Sequence, residues 1–318
     1  ASDVCGRAFS EKNPQIILEC FQCGRPEWLE DLLFKTGTKN IVHILNIDYL
    51  TAEDYAEDFH CLQSLTRSVR VQKVNFMPGF TSKTGGLVLD SPFTAYAADK
   101  TSAFSALAPY IPAFSAKCGA DLFRVLIFTY PHNFFPVVES LSCFQTEKRR
   151  ENPHFSVQAL VANGLSREPF LEAWKNAGNP FEIIELPFLP QTVWDALYFV
   201  SDFLFIRGED SLSRACLSGT PFIWNAYVQS EDYQLVKVNA LLSRMKQYFL
   251  PADFSAVSSC WNDFNSLSGK KDMSASFLSL FRNCAEQKKS FSAFARALFQ
   301  NGDFSTRLLA YIAEINKF

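Results

Sequence analysis

Histidine, methionine and paired cysteines are scarce in this sequence, which argues against metal sites and disulfide frameworks. Of the 318 residues, 4 are histidine and 3 are methionine. The 9 cysteines are an odd number spread along the chain, and only Cys20 and Cys23 form a CxxC pair. Because no second pair or histidine lies at zinc-binding spacing, we interpret this pair as structural and reduced, as in the cytosol. We therefore expect no metal and no cofactor.

A large excess of charge and a long apolar run are also absent. The formal net charge is −3, which does not favour nucleic acid as the main partner. The apolar run from Ala196 to Ile206 is interrupted by Asp202 and is too short to cross a membrane. The first residues show no signal-peptide pattern. Together these observations favour a cytoplasmic protein that binds neither a membrane nor nucleic acid.

Apolar residues are abundant, and their spacing predicts the fold class. They make up 48% of the chain, and phenylalanine alone occurs 32 times, which is enough for sizeable cores. The length favours two domains. From Leu122 to Trp224, strand and helix patterns alternate, which predicts an α/β protein with a doubly wound parallel sheet. The Ala- and Ser-rich segment from Thr94 to Pro112 has the composition of a linker, and we place a domain boundary near Gly119.

One stretch, from Ser201 to Trp224, combines a predicted strand, a tight loop, a helix and a second strand. The run from Phe203 to Ile206 suits a buried strand, and Arg207 begins a polar loop directly after it. Asp210 or Ser211 is expected to cap the following helix. Gly219 is placed to end that helix before the next apolar run. Such loops lie at the carboxyl edge of a parallel sheet, where ligands bind.

The chemistry of this loop fits a nucleotide diphosphate. The guanidinium of Arg207 and the free N–H groups of a helix N-terminus both favour phosphate. Glu209 accepts hydrogen bonds when ionised, so it suits a sugar hydroxyl or a cationic acceptor. The ordinary alternative is that the acidic and hydroxyl residues only cap the helix, and that Arg207 and Glu209 form a surface salt bridge.

Two further strand ends are expected at the same edge of the sheet. Right-handed crossovers bring consecutive parallel strand ends together, which places Phe128 and Tyr130 near the loop after Phe188 and near Arg207. An aromatic ring there can stack on a base, and the amide of Gln191 can both donate to and accept from a pyrimidine edge. Taken alone, each of these residues has an ordinary role in a core or at a helix start.

The same residues carry a resemblance to a known family. Its motifs in this chain are Arg207-Gly208-Glu209-Asp210-Ser211, Arg214-Ala215, Gly219 to Trp224, Gln229, Glu231, Asp232, the tract from Asn46 to Glu53, and the tract from Val74 to Leu87. The chain resembles the protein-arginine rhamnosyltransferases that modify bacterial elongation factor P. The resemblance implies two Rossmann-like domains that face each other across a cleft, in the GT-B arrangement. It implies inverting transfer of L-rhamnose from dTDP-β-L-rhamnose to an arginine of elongation factor P, without a metal.

The resemblance also implies roles for individual residues and segments. Tyr130 and Arg207 match positions near the diphosphate, and Phe128, Gln191 and Trp194 match positions around the thymine. A smaller aromatic is usual where Trp194 stands. Gly208, Glu209, Asp210 and Ser211 match the loop that closes on the sugar nucleotide, and Glu209 matches the residue linked to activity. Phe188 is also implied to lie in the donor site. The implied segments are an acceptor-side domain with its linker (1–118), a nucleotide-sugar domain (119–299) and a helix that crosses back to the first domain (300–318).

The family's general base is implied to be an aspartate in a glycine-rich tract near the start of the first domain. No such tract occurs in these 318 residues. We therefore expect a truncated first domain and do not assign a base. Two alternatives stay open: a non-catalytic fragment that binds the nucleotide sugar or elongation factor P, and a related sugar-nucleotide epimerase.

Two smaller features complete the expectations for the first domain. Gly85 and Gly86 follow Lys-Thr, so they predict a loop with positive φ or close backbone approach rather than a phosphate-binding loop. Asp48 begins an acidic run that continues on a predicted helix to Asp58. It is typical of a solvated face, and it also suits docking of a basic protein acceptor.

Overall fold

The structure is a computed structural model that describes residues 15–38, 40–111, 121–267 and 272–315. The chain divides into two compact units. Unit 1 comprises Ala1–Val88 and Gln300–Phe318, and unit 2 comprises Leu89–Phe299. Each unit has its own sheet, so the predicted α/β class with two sheet-containing domains is confirmed.

Unit 1 is built on a four-stranded sheet with the order β1-β2-β4-β3. Its elements are β1 (Gln15–Cys20), α1 (Glu27–Asp31), β2 (Val42–Ile47), α2 (Tyr55–Phe59), β3 (Gln63–Ser64) and β4 (Val71–Phe76), with a π-helical turn at Leu32–Thr36 after α1. β1, β2 and β4 are parallel, and the short β3 is antiparallel to β4. The parallel strands therefore all end at one edge of this sheet.

Unit 2 contains a five-stranded sheet and most of the helices. Its elements are α3 (Ser91–Ala98), α4 (Lys100–Leu107), β5 (Leu122–Ile127), α5 (Phe135–Glu151), β6 (Ser156–Val161), α6 (Arg167–Asn176), β7 (Glu182–Glu185), α7 (Gln191–Trp194), α8 (Leu197–Val200), β8 (Phe203–Arg207), α9 (Glu209–Ser218), β9 (Phe222–Asn225), α10 (Tyr233–Met245), α11 (Pro251–Asn265), α12 (Ser274–Arg282) and α13 (Cys284–Gln300). Short 3₁₀ turns lie at Ser230–Asp232 and Lys246–Tyr248. The last helix, α14 (Phe304–Ile315), belongs to unit 1.

The topology of unit 2 is that of a doubly wound nucleotide-binding sheet. All five strands are parallel, and their order is β7-β6-β5-β8-β9. Numbered within the sheet, this is the order 3-2-1-4-5, which reverses between β5 and β8. The central strands are buried on both faces, and apart from Arg124 on β5 their buried residues are apolar, because helices cover both sides. The crevice at the carboxyl ends of β5 and β8 is the place where such sheets bind ligands.

The segment predicted to be a linker is helical instead. Asp90 caps α3 through the backbone N–H of Phe93, and Asp99 caps α4 through Thr101. Phe93 is fully buried and its ring packs edge-on against Phe199 at 4.9 Å. Alanine and serine sustain these helices because the few apolar side chains all face inward. The contact division falls between Val88 and Leu89, earlier than the boundary expected near Gly119, which itself lies outside the described residues.

Other local predictions have mixed outcomes. The helix after β8 begins at Glu209, and its N-cap is Gly208 rather than Asp210 or Ser211. Gly219 ends that helix in a left-handed conformation (φ 67°), as predicted. The stretch from Phe277 to Phe299, whose pattern taken alone predicts one helix, is divided between two helices, α12 and α13, that meet at Asn283. The Gly208 cap leaves the side chains of the first turn of α9 available for other contacts.

The expectations for unit 1 are met at its glycines and its last helix. Gly86 has φ 81°, and a Cβ on Gly85 would lie 2.8 Å from the ring of Phe76. One glycine thus needs its conformation and the other needs its lack of a side chain. α14 packs Phe304 and Leu308 against the unit 1 sheet, so the chain crosses back to the first unit as predicted.

Candidate functional site

Arg207 is at the centre of the candidate site on unit 2. It is the last residue of β8, and its guanidinium carbon lies 5.0 Å from the ring centroid of Phe128 and 4.9 Å from that of Tyr130. Both rings follow β5, two residues apart, so they point to the same side of the strand end as predicted. Within the described residues no carboxylate pairs with Arg207, which excludes the surface salt bridge considered above.

Trp194 extends this aromatic surface. Its ring meets that of Phe128 edge-on, with the centroids 4.9 Å apart. Its indole N–H lies 3.2 Å from the hydroxyl of Tyr198, a fully buried tyrosine that also hydrogen-bonds Ser211. Ser211 is therefore a packing contact of the helix start rather than its cap. Three aromatic rings and one cation share the carboxyl edge of the sheet, two of the rings in contact with the cation.

Backbone contacts hold the rest of the loop in place. Gly208 has φ 73°, a conformation that favours glycine, and its carbonyl accepts a hydrogen bond from the indole of Trp224. The backbone N–H of Tyr130 donates to the side chain of Asn225, which is the last residue of β9 and lies opposite Arg207 in the sheet. Two side chains at the end of β9 thus orient this edge: Trp224 holds the turn after Arg207, and Asn225 holds the segment after β5.

A network of charged and amide side chains contacts the first turn of α9 through Asp210. The amide of Gln191 donates to Asp195 at 3.0 Å and to Asp210 at 3.2 Å. Arg214, one turn beyond Asp210, lies 3.9 Å from Asp210, 3.7 Å from Asp195 and 2.5 Å from Asp90. Arg214 and Asp195 are almost fully buried. One buried guanidinium therefore faces three carboxylates in this network.

The protonation of Asp195 reflects that arrangement. Burial raises the pKa of Asp195 to about 6, while the Arg214 guanidinium acts in the opposite direction. The carboxylates of Asp210 and Asp90 raise the pKa further. Because the charge of Asp210 is partly neutralised by Gln191 and Arg214, it opposes an anion at the N-terminus of α9 less than an isolated carboxylate would.

Not every predicted site residue joins the cluster. The side chain of Phe188 is 84% exposed on the loop between β7 and α7 and makes none of the ring contacts that join the other aromatics in the described residues. Glu209 is half-buried at the first position of α9. Gln191 lies at the same edge, but its amide is engaged by two aspartates. Its predicted contact with a pyrimidine stays a prediction.

Sequence reasoning missed several residues of this edge. Asp195, Arg214 and Asn225 take part in the contacts above, and the exposed ring of Tyr227 packs edge-on against Tyr130 at 5.6 Å. The spacing of four residues between Gln191 and Asp195, and between Asp210 and Arg214, was a usable signal, because such residues are neighbours on a helix.

The carboxyl edge of the unit 1 sheet has a different character. Asp48 accepts hydrogen bonds from the amide of Gln22 at 2.8 Å, from the amide of Asn46 at 3.5 Å and from the backbone N–H of Tyr49. The rings of Phe21 and Tyr49 stack at 4.5 Å, and both are about half exposed. Phe21 and Gln22 adopt positive φ, which is uncommon outside glycine. This edge presents an oriented carboxylate beside two aromatic faces.

Neither a metal centre nor a membrane segment is visible in the described ranges. No group of three His, Cys, Asp or Glu side chains there has the geometry of a metal site. No helix among these residues is both long and apolar enough to span a bilayer. Cys20 and Cys23 are exposed free thiols.

The fold and the site define a class, an α/β protein whose unit 2 has the ligand edge of a nucleotide-binding sheet. The family comparison is more specific. Residues 4–313 match the model of the elongation factor P rhamnosyltransferase EarP. The chain belongs to this family.

Similar proteins agree with that assignment. Three relatives named protein-arginine rhamnosyltransferase are 28% identical over 290 residues (Shewanella oneidensis), 27% over 269 (Neisseria meningitidis serogroup B) and 25% over 301 (Pseudomonas aeruginosa). The matches cover 80%, 79% and 94% of this chain, and 70%, 64% and 78% of the relatives. The predicted enzyme class, a rhamnosyltransferase acting on an arginine of elongation factor P, is thus confirmed at the level of the family.

A solved structure supports the fold. The chain aligns with one from the structure of EarP-mediated arginine glycosylation of translation elongation factor EF-P, with a TM-score of 0.60 and 17% identity. The alignment covers 95% of this chain and 99% of the other. At that identity the likeness shows the shared fold. The roles of individual site residues are therefore argued from the contacts of this chain.

Proposed function

We propose that this chain transfers L-rhamnose from dTDP-β-L-rhamnose to an arginine of elongation factor P, with inversion at the anomeric carbon, in the cytoplasm. The observation that carries the donor assignment is the position of Arg207. Its guanidinium lies on two aromatic rings at the switch point of the unit 2 sheet, beside the N-terminus of α9. Cation, free N–H groups and π faces are the groups that a nucleoside diphosphate requires.

In this scheme the diphosphate binds Arg207, Tyr130 and the first turn of α9. As the bond from the anomeric carbon to the diphosphate oxygen breaks, negative charge grows on the leaving group. Arg207 and the helix N–H groups stabilise that charge, because they are already oriented towards it and need no reorganisation. Phe128 and Trp194 provide the surface for the thymine. The scheme requires no metal.

The acceptor must lose a proton during the reaction. The nitrogen of a protonated guanidinium is a poor nucleophile, so a carboxylate has to orient it and accept the proton as the new carbon–nitrogen bond forms. Glu209 is half-buried at the start of α9 and is the carboxylate we assign to activity on the donor side. The acidic edge of unit 1, with Asp48 fixed by three donors, is the surface we assign to the basic acceptor.

Mass spectrometry of elongation factor P tests catalysis directly. The acceptor is incubated with dTDP-rhamnose and this chain, and the expected product carries one added deoxyhexose on an arginine. The control reaction contains the Glu209→Gln variant, which should bind the donor but modify the acceptor more slowly. A wild-type chain that binds the donor in calorimetry but yields no product would support the alternative function, a non-catalytic binder. Absence of donor binding would refute the donor assignment.

A further inference from the structure

A cavity lies at the opposite edge of the unit 2 sheet from Arg207. Its volume is about 560 Å³, which is within the range of small-molecule sites. Leu122 begins β5, and Ser201 and Asp202 precede β8, so the cavity is at the amino ends of these strands. Ser201 and Arg207 are six residues apart, which corresponds to about 20 Å of extended strand. The cavity is therefore separate from the candidate donor site.

The lining of this cavity combines apolar and basic residues. Phe104, Leu122, Phe199 and Val200 provide the apolar surface. The charged lining residues are three cations and one carboxylate: Lys100, Arg124, Lys288 and Asp202. The lining therefore carries an excess of positive charge, which favours an anion over a cation or a neutral ligand.

Two of the polar lining groups have unused binding capacity. The hydroxyl of Ser201 is buried and has no hydrogen-bond partner among the described residues, an arrangement that costs about 1–3 kcal/mol unless another molecule supplies one. Lys288, half-buried on α13, forms no ion pair within the described residues. These groups come from separate elements of unit 2, and both line the same cavity.

Arg124 and Asp202 give the cavity a rigid floor. Arg124 is 2% exposed, and its Nε donates to Gln158 at 2.9 Å. Its guanidinium carbon lies 5.4 Å from the ring centroid of Phe104. Asp202 accepts the backbone N–H of Arg124 at 2.8 Å and donates its own N–H to the Arg124 carbonyl. The buried cation is thus held in place by the sheet itself, beside an aromatic wall.

We propose that this cavity binds a small organic oxyanion, namely a phosphate or carboxylate attached to an apolar or aromatic body. Lys288 supplies a flexible ammonium group for the oxyanion, and Ser201 supplies a hydroxyl donor. Phe104 and Phe199 contact the body. The site is independent of donor binding and of rhamnosyl transfer.

Calorimetry with phenyl phosphate, benzoate and inorganic phosphate tests the proposal on the full chain. At least one aromatic probe is expected to bind saturably at millimolar concentrations or below, about tenfold or more tightly than inorganic phosphate, because of the apolar walls. Equal affinity for phenyl phosphate and inorganic phosphate, or no saturable binding by either aromatic probe, would overturn it. Comparison of phenyl phosphate with benzoate identifies which oxyanion the site prefers.

Matched variants locate the binding. Lys288→Met should weaken the bound aromatic probe about tenfold or more, since it removes a charged hydrogen-bond donor. Lys289→Met is the control, because Lys289 is exposed, pairs with Glu286 and does not line the cavity. Loss of binding in Arg207→Ala but not in Lys288→Met would place the probe in the candidate donor site instead. Equal effects of Lys288→Met and Lys289→Met would also contradict the proposal.

Discussion

The carboxyl edges of the two sheets present opposite chemistry, although both are formed by parallel strands. In unit 2 the residue that ends β8 is Arg207, and it contacts aromatic rings without an ion-pair partner in the described residues. In unit 1 the residue after β2 is Asp48, which three donors surround. The same backbone arrangement therefore displays a cation in one unit and a carboxylate in the other.

The two edges also differ in what supports them. The helix after β8 rests on buried charges, with Arg214 facing Asp195, Asp210 and Asp90. The unit 1 edge combines amides, including a hydrogen bond of 3.1 Å between Asn46 and Asn75, with one buried carboxylate, Glu19, that pairs with Arg25 and Lys73. In the unit 2 network, burial raises the pKa of Asp195 to about 6. The stability that Asp195 contributes should therefore depend on pH between about 4 and 6.

The largest expected effect is a change in the pH dependence of stability in Asp195→Asn. Burial raises the folded-state pKa of Asp195 from 3.8 to about 6, so the folded protein retains a proton that the unfolded chain releases. The contribution of this group to the free energy of unfolding is therefore present below about pH 4 and is lost as the pH rises to about 6, by about 3 kcal/mol at most. Urea denaturation at several pH values measures it.

In the variant that pH-dependent loss disappears. The stability of the wild type relative to Asp195→Asn should therefore decrease as the pH rises through this window. Asp58→Asn is the control, because Asp58 is exposed on unit 1. Curves for the wild type and Asp195→Asn that stay parallel between pH 4 and 7 would show that Asp195 does not titrate as a buried carboxylate in this window.

The positions of three site residues, Arg207, Phe128 and Tyr130, could be predicted from the sequence. The position of Arg207 followed from a local pattern, since an apolar run followed at once by a polar loop and a helix ends at a sheet edge. The contacts of Phe128 and Tyr130 followed from their spacing of two. The order 3-2-1-4-5 was not predicted, because strand order depends on long-range pairing that no local pattern encodes.

The errors have physical causes as well. The segment of α3 and α4 was interpreted as a linker because alanine and serine give a weak apolar periodicity, yet Phe93 and Tyr96 bury one face of α3 against Phe199. Asp210 was expected to cap α9, but its side chain contacts Gln191 and Arg214, and Gly208 takes the cap position. Asp210 therefore makes tertiary contacts instead of capping α9. The preference of aspartate for N-cap positions does not reveal such contacts.

The second expected effect separates the edges by ligand. Arg207→Ala should weaken binding of dTDP-rhamnose by about 1.5–3 kcal/mol, the amount typical of a lost charged hydrogen bond, and leave affinity for elongation factor P unchanged. Arg207→Lys should give an intermediate loss, because an ammonium keeps the charge but not the planar fork. Calorimetry with each ligand measures both. Arg167→Ala is the matched control, since Arg167 on α6 pairs with Glu185 and Glu168. Unchanged donor affinity in Arg207→Ala would show that Arg207 does not contribute to binding of the donor.

The smallest expected effect comes from removing the charge of Asp48 in unit 1. This variant tests whether the two edges bind different substrates. Asp48→Asn keeps one acceptor oxygen for the backbone N–H of Tyr49, and its new NH2 group can donate to the Gln22 amide once that amide rotates, so the fold of the edge should persist while its charge is lost. Affinity for elongation factor P should fall by about 0.5–1.5 kcal/mol, and donor affinity should not change. Asp58→Asn removes the same charge from an exposed position ten residues away and should have a smaller effect. If both variants weaken the acceptor equally, the attraction is a general property of the acidic run. If Asp48→Asn weakens the donor instead, the assignment of one substrate to each edge is wrong, because a carboxylate of unit 1 would then belong to the nucleotide-sugar site.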